Sequence, residues 1–219
     1  RGSVSAVYST ALVSLTMAVL VGHPLFRRLS GSFIALIVSG GAAGGLLIAA
    51  WSSFLGGVIV GYGIIFGTAN GLGYAFSLQR AAEANPERRG FALGWVTAAY
   101  ALGAAVAAAL LDGLIESAGT SRALNSLALV IISAGLTAAF LLAGSGRSSS
   151  VGQEQIGPPP LRQLVGRLWT GYGLATVAGL MTLGHAAAIV DQAGGPGSTA
   201  TVLAGCASGA GGIWIALIA

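Results

Sequence analysis

Seven long apolar stretches alternate with short polar gaps along the chain. Each stretch has roughly the 20 apolar residues that an α-helix needs to cross a bilayer. The pattern therefore predicts an all-α fold, a polytopic bundle of transmembrane helices in which short gaps join antiparallel neighbours. The stretches are 4–21, 33–50, 54–76, 91–111, 124–143, 168–190 and 199–219.

Arginine is concentrated in every second gap. The chain has no lysine, and the first, third and fifth gaps hold eight of its ten basic residues. Because basic residues favour the cytoplasmic face of a membrane, these gaps are predicted to be cytoplasmic, in an integral protein of the cell (inner or plasma) membrane. The eight are Arg27, Arg28, Arg80, Arg88, Arg89, Arg147, Arg162 and Arg167.

The fifth gap, 144–167, is longer than the others, rich in serine and glycine, and contains three consecutive prolines at 158–160. Such a segment predicts a cytoplasmic linker between two lobes, 1–143 with five helices and 168–219 with two. The chain begins at Arg1 without a methionine and stops within an apolar run. We therefore expect a fragment that lacks the first helix of the leading lobe and does not transport by itself.

Composition narrows the function classes. Apolar residues make up 55% of the chain and charged residues 7%, which leaves too little polar surface for a soluble globule. The arginines are spread over loops rather than gathered on one face, so nucleic acid is not an expected partner. Carboxylate pairs within the membrane and His, Cys or acid clusters with metal-ligand spacing are lacking. We expect no enzyme activity, no metal and no cofactor.

A few polar residues fall inside the apolar stretches, and polar residues within membrane segments often have a functional role. The candidates for a substrate pathway are Tyr62, Asn70, Thr97, Tyr100 and His185. Any single one of these residues could instead serve to hydrogen-bond a neighbouring helix. Collectively we expect some of them to line a cavity.

Glycine recurs at four-residue spacing, as at Gly63, Gly67 and Gly71 and at Gly205 and Gly209. This spacing places the glycines on one helix face, where neighbouring backbones can approach closely. Static packing and helices that rock past one another both fit this pattern.

One stretch carries a family resemblance, GYGIIFGTANGLGYAFSLQRAAEANPERRGFALGWVTAAYALGAAV at 61–106. Its glycine-rich helix ends in Gly71, Gly73 and Tyr74, and the turn NPERRG precedes a second helix with Gly94 and Gly103. The stretch resembles the fourth and fifth helices of the major facilitator superfamily, most closely its monocarboxylate and oxalate/formate antiporter-like group. More weakly, the whole chain resembles the second to eighth helices of a twelve-helix carrier.

The resemblance implies a secondary transporter of small organic anions that works by alternating access, with solute bound between two lobes. Its partners would be the lipid bilayer, a small solute and, in a proton-coupled carrier, a proton, for which His185 is the candidate residue because histidine is the side chain with an unperturbed pKa near neutral pH. The turns that gate the cytoplasmic side would carry Gly22, Arg27, Arg28, Glu87, Arg88 and Arg89.

The chain departs from the family pattern at two places. Phe26 occupies the position where the family's first cytoplasmic turn has an aspartate, and 199–219 lacks the basic residue that helps anion-carrying relatives hold their substrate. A carrier of the same fold that transports a drug, sugar or nucleoside is therefore an alternative to the organic-anion transporter. A non-transporting membrane scaffold or sensor is the alternative from another class.

Overall fold

The computed structural model of the chain describes residues 2–143 and 197–218. These residues form helices and short connections, and they contain no strand. The elements are α1 (Gly2–Val21), α2 (His23–Arg28), α3 (Gly31–Trp51), α4 (Leu55–Val58), a π-helix (Ile59–Phe66), α5 (Gly67–Ala84), a 3₁₀ turn (Pro86–Arg88), α6 (Arg89–Ala118), α7 (Thr120–Ala143) and α8 (Gly197–Ile218).

Four helical segments are long and apolar enough to cross a membrane, namely Gly31–Trp51, Leu55–Ala84, Pro86–Ala118 and Thr120–Ala143. Shorter apolar stretches lie within α1 and α8. The expected all-α, membrane-embedded bundle is thereby confirmed. The linker 144–167 and the span at 168–190 lie outside the described residues.

Two spans are longer than the hydropathy pattern predicts. The third was expected to end at residue 76 but continues to Ala84, and the fourth was expected to end at residue 111 but continues to Ala118. Neither extension contains a proline. Asn85, which precedes a proline, follows the end of the first extension, and Gly119 follows the end of the second. Arg80 was assigned to a gap by sequence, which is wrong, because it lies in the last turns of α5.

The two ends of the bundle differ in charge. Successive spans alternate in direction, so the ends of α1, α5 and α7 and the starts of α3 and α6 share one end. Leu142 of α7 accordingly lies beside Gly31 of α3. We call this the arginine-rich end, and it carries Arg27, Arg28, Arg80, Arg88 and Arg89.

Glycine forms the seam between α1 and the neighbouring π-helix and α5. A Cβ at Gly63 would lie 3.0 Å from Thr10 Cγ2, and one at Gly67 would lie 2.7 Å from the carbonyl oxygen of Ala11. Gly71 faces the backbone of Leu15 in the same way. The predicted close packing at these glycines is confirmed, because no larger side chain fits while the helices keep this separation.

The seam between α3 and α7 holds the core of the bundle. Ala43, Leu46 and Ala128 are buried together there. At the end away from the arginines, Ser121 Oγ donates to the carbonyl oxygen of Ala50 at 2.9 Å, and Trp51 Nε1 donates to Asn125 Oδ1 at 3.4 Å. Small residues bring the two backbones together and polar side chains then hold the register.

The last described helix, α8, which matches the last predicted stretch at 199–219, packs along α6. A Cβ at Gly205 would lie 2.6 Å from Ala105 Cβ, and one at Gly209 would lie 2.7 Å from Leu102 Cγ. Glycines four residues apart thus bring α8 against the helix that was expected to belong to the other lobe.

A single glycine joins α6 to α7. Gly119 has φ of +83°, and a backbone in this region strains any residue with a Cβ. Its N–H donates to the carbonyl oxygen of Ile115 at 3.0 Å, which closes the last turn of α6. The chain therefore reverses direction between two membrane-length helices with almost no loop.

Candidate functional site

Polar side chains of α5 and α6 meet within the apolar bundle. Asn70 Nδ2 donates a hydrogen bond to Tyr100 Oη at 2.8 Å. One turn nearer the arginine-rich end, Tyr74 Oη lies 3.3 Å from Thr97 Oγ1. The Tyr74 and Tyr100 rings are in contact, with centroids 4.8 Å apart and planes at 48°. Spacings of four residues on α5 and three on α6 put each pair on one face of its helix.

The direction of these hydrogen bonds follows from counting protons. Thr97 has one O–H, which donates to the carbonyl oxygen of Leu93 at 2.9 Å, so Tyr74 is the donor to Thr97. Tyr100 accepts from Asn70, and its own O–H has no acceptor among the described residues. Asn70 also keeps a second N–H and its Oδ1 unpaired there.

Two further tyrosines belong to the same region. Tyr62 of the π-helix and Tyr8 of α1 are close enough to each other and to Tyr100 for their hydroxyls to interact electrostatically. Neither hydroxyl has a hydrogen-bond partner in residues 2–143 or 197–218. We define the polar cluster as Tyr8, Tyr62, Asn70, Tyr74, Thr97 and Tyr100.

The π-helix positions Tyr62. A π-helix has more residues in each turn than an α-helix, which rotates the side chains that follow, and such segments are frequent at functional sites. Gly61 and Gly63 on either side of Tyr62 pack against α3 and α1 respectively. The Tyr62 ring stacks on Phe66, with centroids 5.0 Å apart and planes at 24°.

The polar cluster lies on an accessible side of the described bundle. Tyr8 and Tyr100 keep 41% and 42% of their surface exposed, and Tyr62, Asn70 and Tyr74 are half-buried. Unpaired polar groups are costly in hydrocarbon, by several kcal/mol each in the limit of full burial. This side of the bundle is therefore suited to water, further protein or a polar ligand, and poorly suited to lipid tails.

The structure brings together four of the five residues singled out by sequence, Tyr62, Asn70, Thr97 and Tyr100. His185 lies outside the described residues. Tyr8 was missed, and the signal for it was a tyrosine within the first apolar stretch, where several serines and threonines also occur. The π-helix was also missed, because hydropathy does not distinguish it from an α-helix.

At the arginine-rich end, aromatic packing holds α2 on α5. The rings of Phe26 and Phe76 are in contact, with centroids 5.6 Å apart at 58°. Arg80 Cζ lies 5.4 Å from the centroid of Phe76, and Arg80 Nη1 pairs with Glu83 Oε2 at 3.2 Å. A Cβ at Gly22 would lie 2.8 Å from Leu72 Cδ2 and 3.0 Å from Phe26 Cζ, so the backbone at Gly22 is closely packed against these two side chains.

The other turn expected to gate the cytoplasmic side is formed by Glu87, Arg88 and Arg89. It comprises the 3₁₀ turn and the first residue of α6, and all three side chains are exposed. Arg27 and Arg28 are exposed on α2. The gating role of these residues stays a prediction.

Groups of three or more His, Cys, Asp or Glu side chains that could hold a metal are not found among residues 2–143 and 197–218. Cys206 on α8 is a free, exposed thiol. The polar cluster thus offers hydroxyls, an amide and aromatic rings, which are groups that bind a solute by hydrogen bonding and stacking.

Comparisons of the chain with protein-family models, with curated proteins and with solved structures give no significant match.

Proposed function

We propose that the chain belongs to a secondary transporter that works by alternating access and that the polar cluster lies in its solute pathway. The observation that carries this proposal is the convergence of unpaired hydrogen-bonding groups from α1, the π-helix, α5 and α6 within a membrane-embedded bundle. Polar groups in such a place typically mark substrate pathways. The similarity of 61–106 to major facilitator helices supports the same function.

The substrate class we propose is a small organic anion, such as a monocarboxylate. Tyr100 and Tyr62 each have an O–H to donate, and Asn70 has a second N–H. These donors suit the acceptor oxygens of a carboxylate. Charged side chains take no part in the contacts of the cluster among the described residues, so binding would rest on neutral donors. Such a site holds its solute weakly enough to release it on the other side of the membrane.

The helix seams are suited to the movement that this function requires. The Gly205 and Gly209 contacts join α8 to α6 across smooth surfaces, and Gly63, Gly67 and Gly71 do the same between α1 and its neighbours. Helices that touch through glycine lack interlocking side chains and can slide. In the proposed mechanism, α8 and the other helices of the second lobe rock against α6 and expose the site to one side at a time.

The decisive experiment is uptake by liposomes that contain the purified full-length protein, since the 219-residue chain alone is expected not to transport. We expect saturable uptake of labelled formate, oxalate, lactate or pyruvate, accelerated by unlabelled solute inside the liposome. Pyranine trapped inside the liposomes reports whether a proton enters with the solute. If His185 carries that proton, a His185→Ala variant should lose the pyranine signal. Liposomes without protein are the control. Absence of saturable uptake for all four anions would remove this substrate class, and uptake of a neutral solute alone would favour the alternative carrier.

The proposed sidedness puts the arginine-rich end and the linker in the cytoplasm. In a Cys206→Ser background, single cysteines at Ser30, Ala84 and Gln153 are expected to react with an impermeant maleimide only after the cells are permeabilised. A cysteine at Ser121 is expected to react in intact cells. The reverse labelling pattern would invert the topology.

The proposed gating role of the Glu87–Arg89 turn is tested with Arg88→Gln/Arg89→Gln. Exposed ion pairs contribute only ~0 to 1 kcal/mol, so we expect the variant to insert normally, with a changed maximal transport rate and a nearly unchanged KM. Arg122→Gln, at the opposite end, is the control and should leave both parameters unchanged. An unaltered maximal rate in the double variant would exclude the gating role.

A further inference from the structure

The short helix α2 connects two membrane-embedded helices at the arginine-rich end. One residue, Gly22, separates it from α1, and two residues, Leu29 and Ser30, separate it from α3. Its position is therefore near the depth of the lipid headgroups, where the hydrocarbon core gives way to water. His23, Pro24, Arg27 and Arg28 line an open cavity of about 600 Å³ on this helix.

The cavity is basic and its arginines are available. Neither Arg27 nor Arg28 has a carboxylate or hydrogen-bond partner among the described residues, and both side chains are exposed. His23 and Arg27 are four residues apart, as are Pro24 and Arg28, so each pair lies on one face of α2. Guanidinium groups carry a fixed charge and bind phosphate oxygens in a bidentate geometry.

Packing fixes α2 in place before any ligand arrives. Phe26 is half-buried against Phe76, which in turn carries Arg80 on its ring. Gly22 is closely packed against Leu72 at the start of the helix. The two arginines therefore project from a held helix rather than from a mobile loop, which lowers the entropy lost on binding.

Exposed apolar side chains flank the cavity residues in the sequence, at the end of α1 and within α2. Leu20 and Val21 at the end of α1 are 68% and 70% exposed, and Leu25 of α2 is 36% exposed. A ligand with a phosphate and an acyl chain would satisfy both surfaces at once. A soluble phosphate would use the basic part alone.

We propose that α2 forms a binding site for the phosphate of an anionic phospholipid, with Arg27 and Arg28 as the phosphate-binding residues and Leu20, Val21 and Leu25 along the acyl chain. Basic pockets beside membrane helices are a known way to hold anionic headgroups. The site shares no residue with the polar cluster. Arg27 and Arg28 also belong to a turn that was expected to gate the cytoplasmic side, so the test measures lipid binding and not transport.

The test measures lipid binding to the intact protein in detergent micelles by native mass spectrometry. Phosphatidylglycerol is expected to bind at least about tenfold more tightly than phosphatidylcholine, given two arginines at the site. Arg27→Gln/Arg28→Gln should weaken phosphatidylglycerol about 25-fold, or about fivefold for each arginine. Arg27→Lys/Arg28→Lys should retain most of the binding because the charge is kept. Phe26→Ala should give an intermediate loss, since it releases α2 from Phe76 but leaves both arginines.

The matched control is Arg88→Gln/Arg122→Gln, which removes the same charge from exposed positions elsewhere. It should change phosphatidylglycerol binding less than about twofold, because neither Arg88 nor Arg122 lines the cavity on α2. Equal losses in the two Gln double variants, or equal binding of the two lipids, would overturn the site. Displacement of phosphatidylglycerol by millimolar inorganic phosphate as readily as by short-chain phosphatidylglycerol would overturn its assignment to a lipid.

Discussion

Gly45→Ala is expected to destabilise the protein by about 3 kcal/mol, the upper part of the range for overpacked sites. A Cβ at Gly45 would lie 2.5 Å from the carbonyl oxygen of Gly61 and 2.7 Å from the backbone nitrogen of Phe66. Both neighbours are main-chain atoms of the π-helix, so no rotamer change relieves the clash. The π-helix and α3 must instead move apart, which also disturbs the Tyr62–Phe66 stack in the core.

The adjacent glycine supplies the control for this prediction. A Cβ at Gly44 would meet nothing within 4 Å, so Gly44→Ala should be neutral or slightly stabilising through helix propensity. Gly61→Ala tests the contact from the other side, since its Cβ would lie 2.6 Å from the carbonyl oxygen of Gly45. The measurement is thermal unfolding of each variant in detergent. Similar midpoints for Gly44→Ala and Gly45→Ala would show that α3 and the π-helix do not touch as described.

Tyr100→Phe is expected to lower anion uptake at low solute concentration by about 10- to 100-fold, the range for loss of a hydrogen bond to a charged group. The substitution removes the O–H that has no acceptor among the described residues and leaves the Asn70 N–H without its acceptor. Because Tyr100 is 42% exposed and keeps its ring contact with Tyr74, the fold should survive. Initial rates in proteoliposomes at several solute concentrations measure the effect as a rise in KM.

Tyr74→Phe is the matched control on the facing helix. The Tyr74 hydroxyl already donates to Thr97, so it has no proton to offer a solute and its loss should change KM by less than about threefold. Asn70→Ala should resemble Tyr100→Phe, because both remove donors on the same side of the polar cluster. Equal effects of Tyr74→Phe and Tyr100→Phe, or a normal KM in Tyr100→Phe, would exclude solute recognition by the unpaired donors.

Hydropathy alone was sufficient for the class of fold. A segment that buries its backbone in lipid must satisfy its own hydrogen bonds, so about 20 consecutive apolar residues have one common solution, the helix. The four membrane-length segments were located in this way. Their ends were placed less well, as at Ala84 and Ala118, because alanine and isolated charges continue a helix without changing its conformation.

Polarity within apolar stretches was also enough to select Tyr62, Asn70, Thr97 and Tyr100 as candidates. It did not pair Asn70 with Tyr100 or Tyr74 with Thr97, because those contacts depend on how α5 and α6 face each other. Tyr8 joined the polar cluster only through the packing of α1 against the π-helix.

The sequence by itself therefore determined what is periodic and local: the helices, their apolar character and the charge asymmetry of their ends. Only the tertiary structure distinguished residues of the same type that pack against another helix from those that do not. Gly44 and Gly45 are neighbours with the same chemistry, yet only Gly45 touches another backbone. The difference arises because a glycine's role depends on the atoms opposite it, and a close approach between α3 and the π-helix is set by the whole bundle.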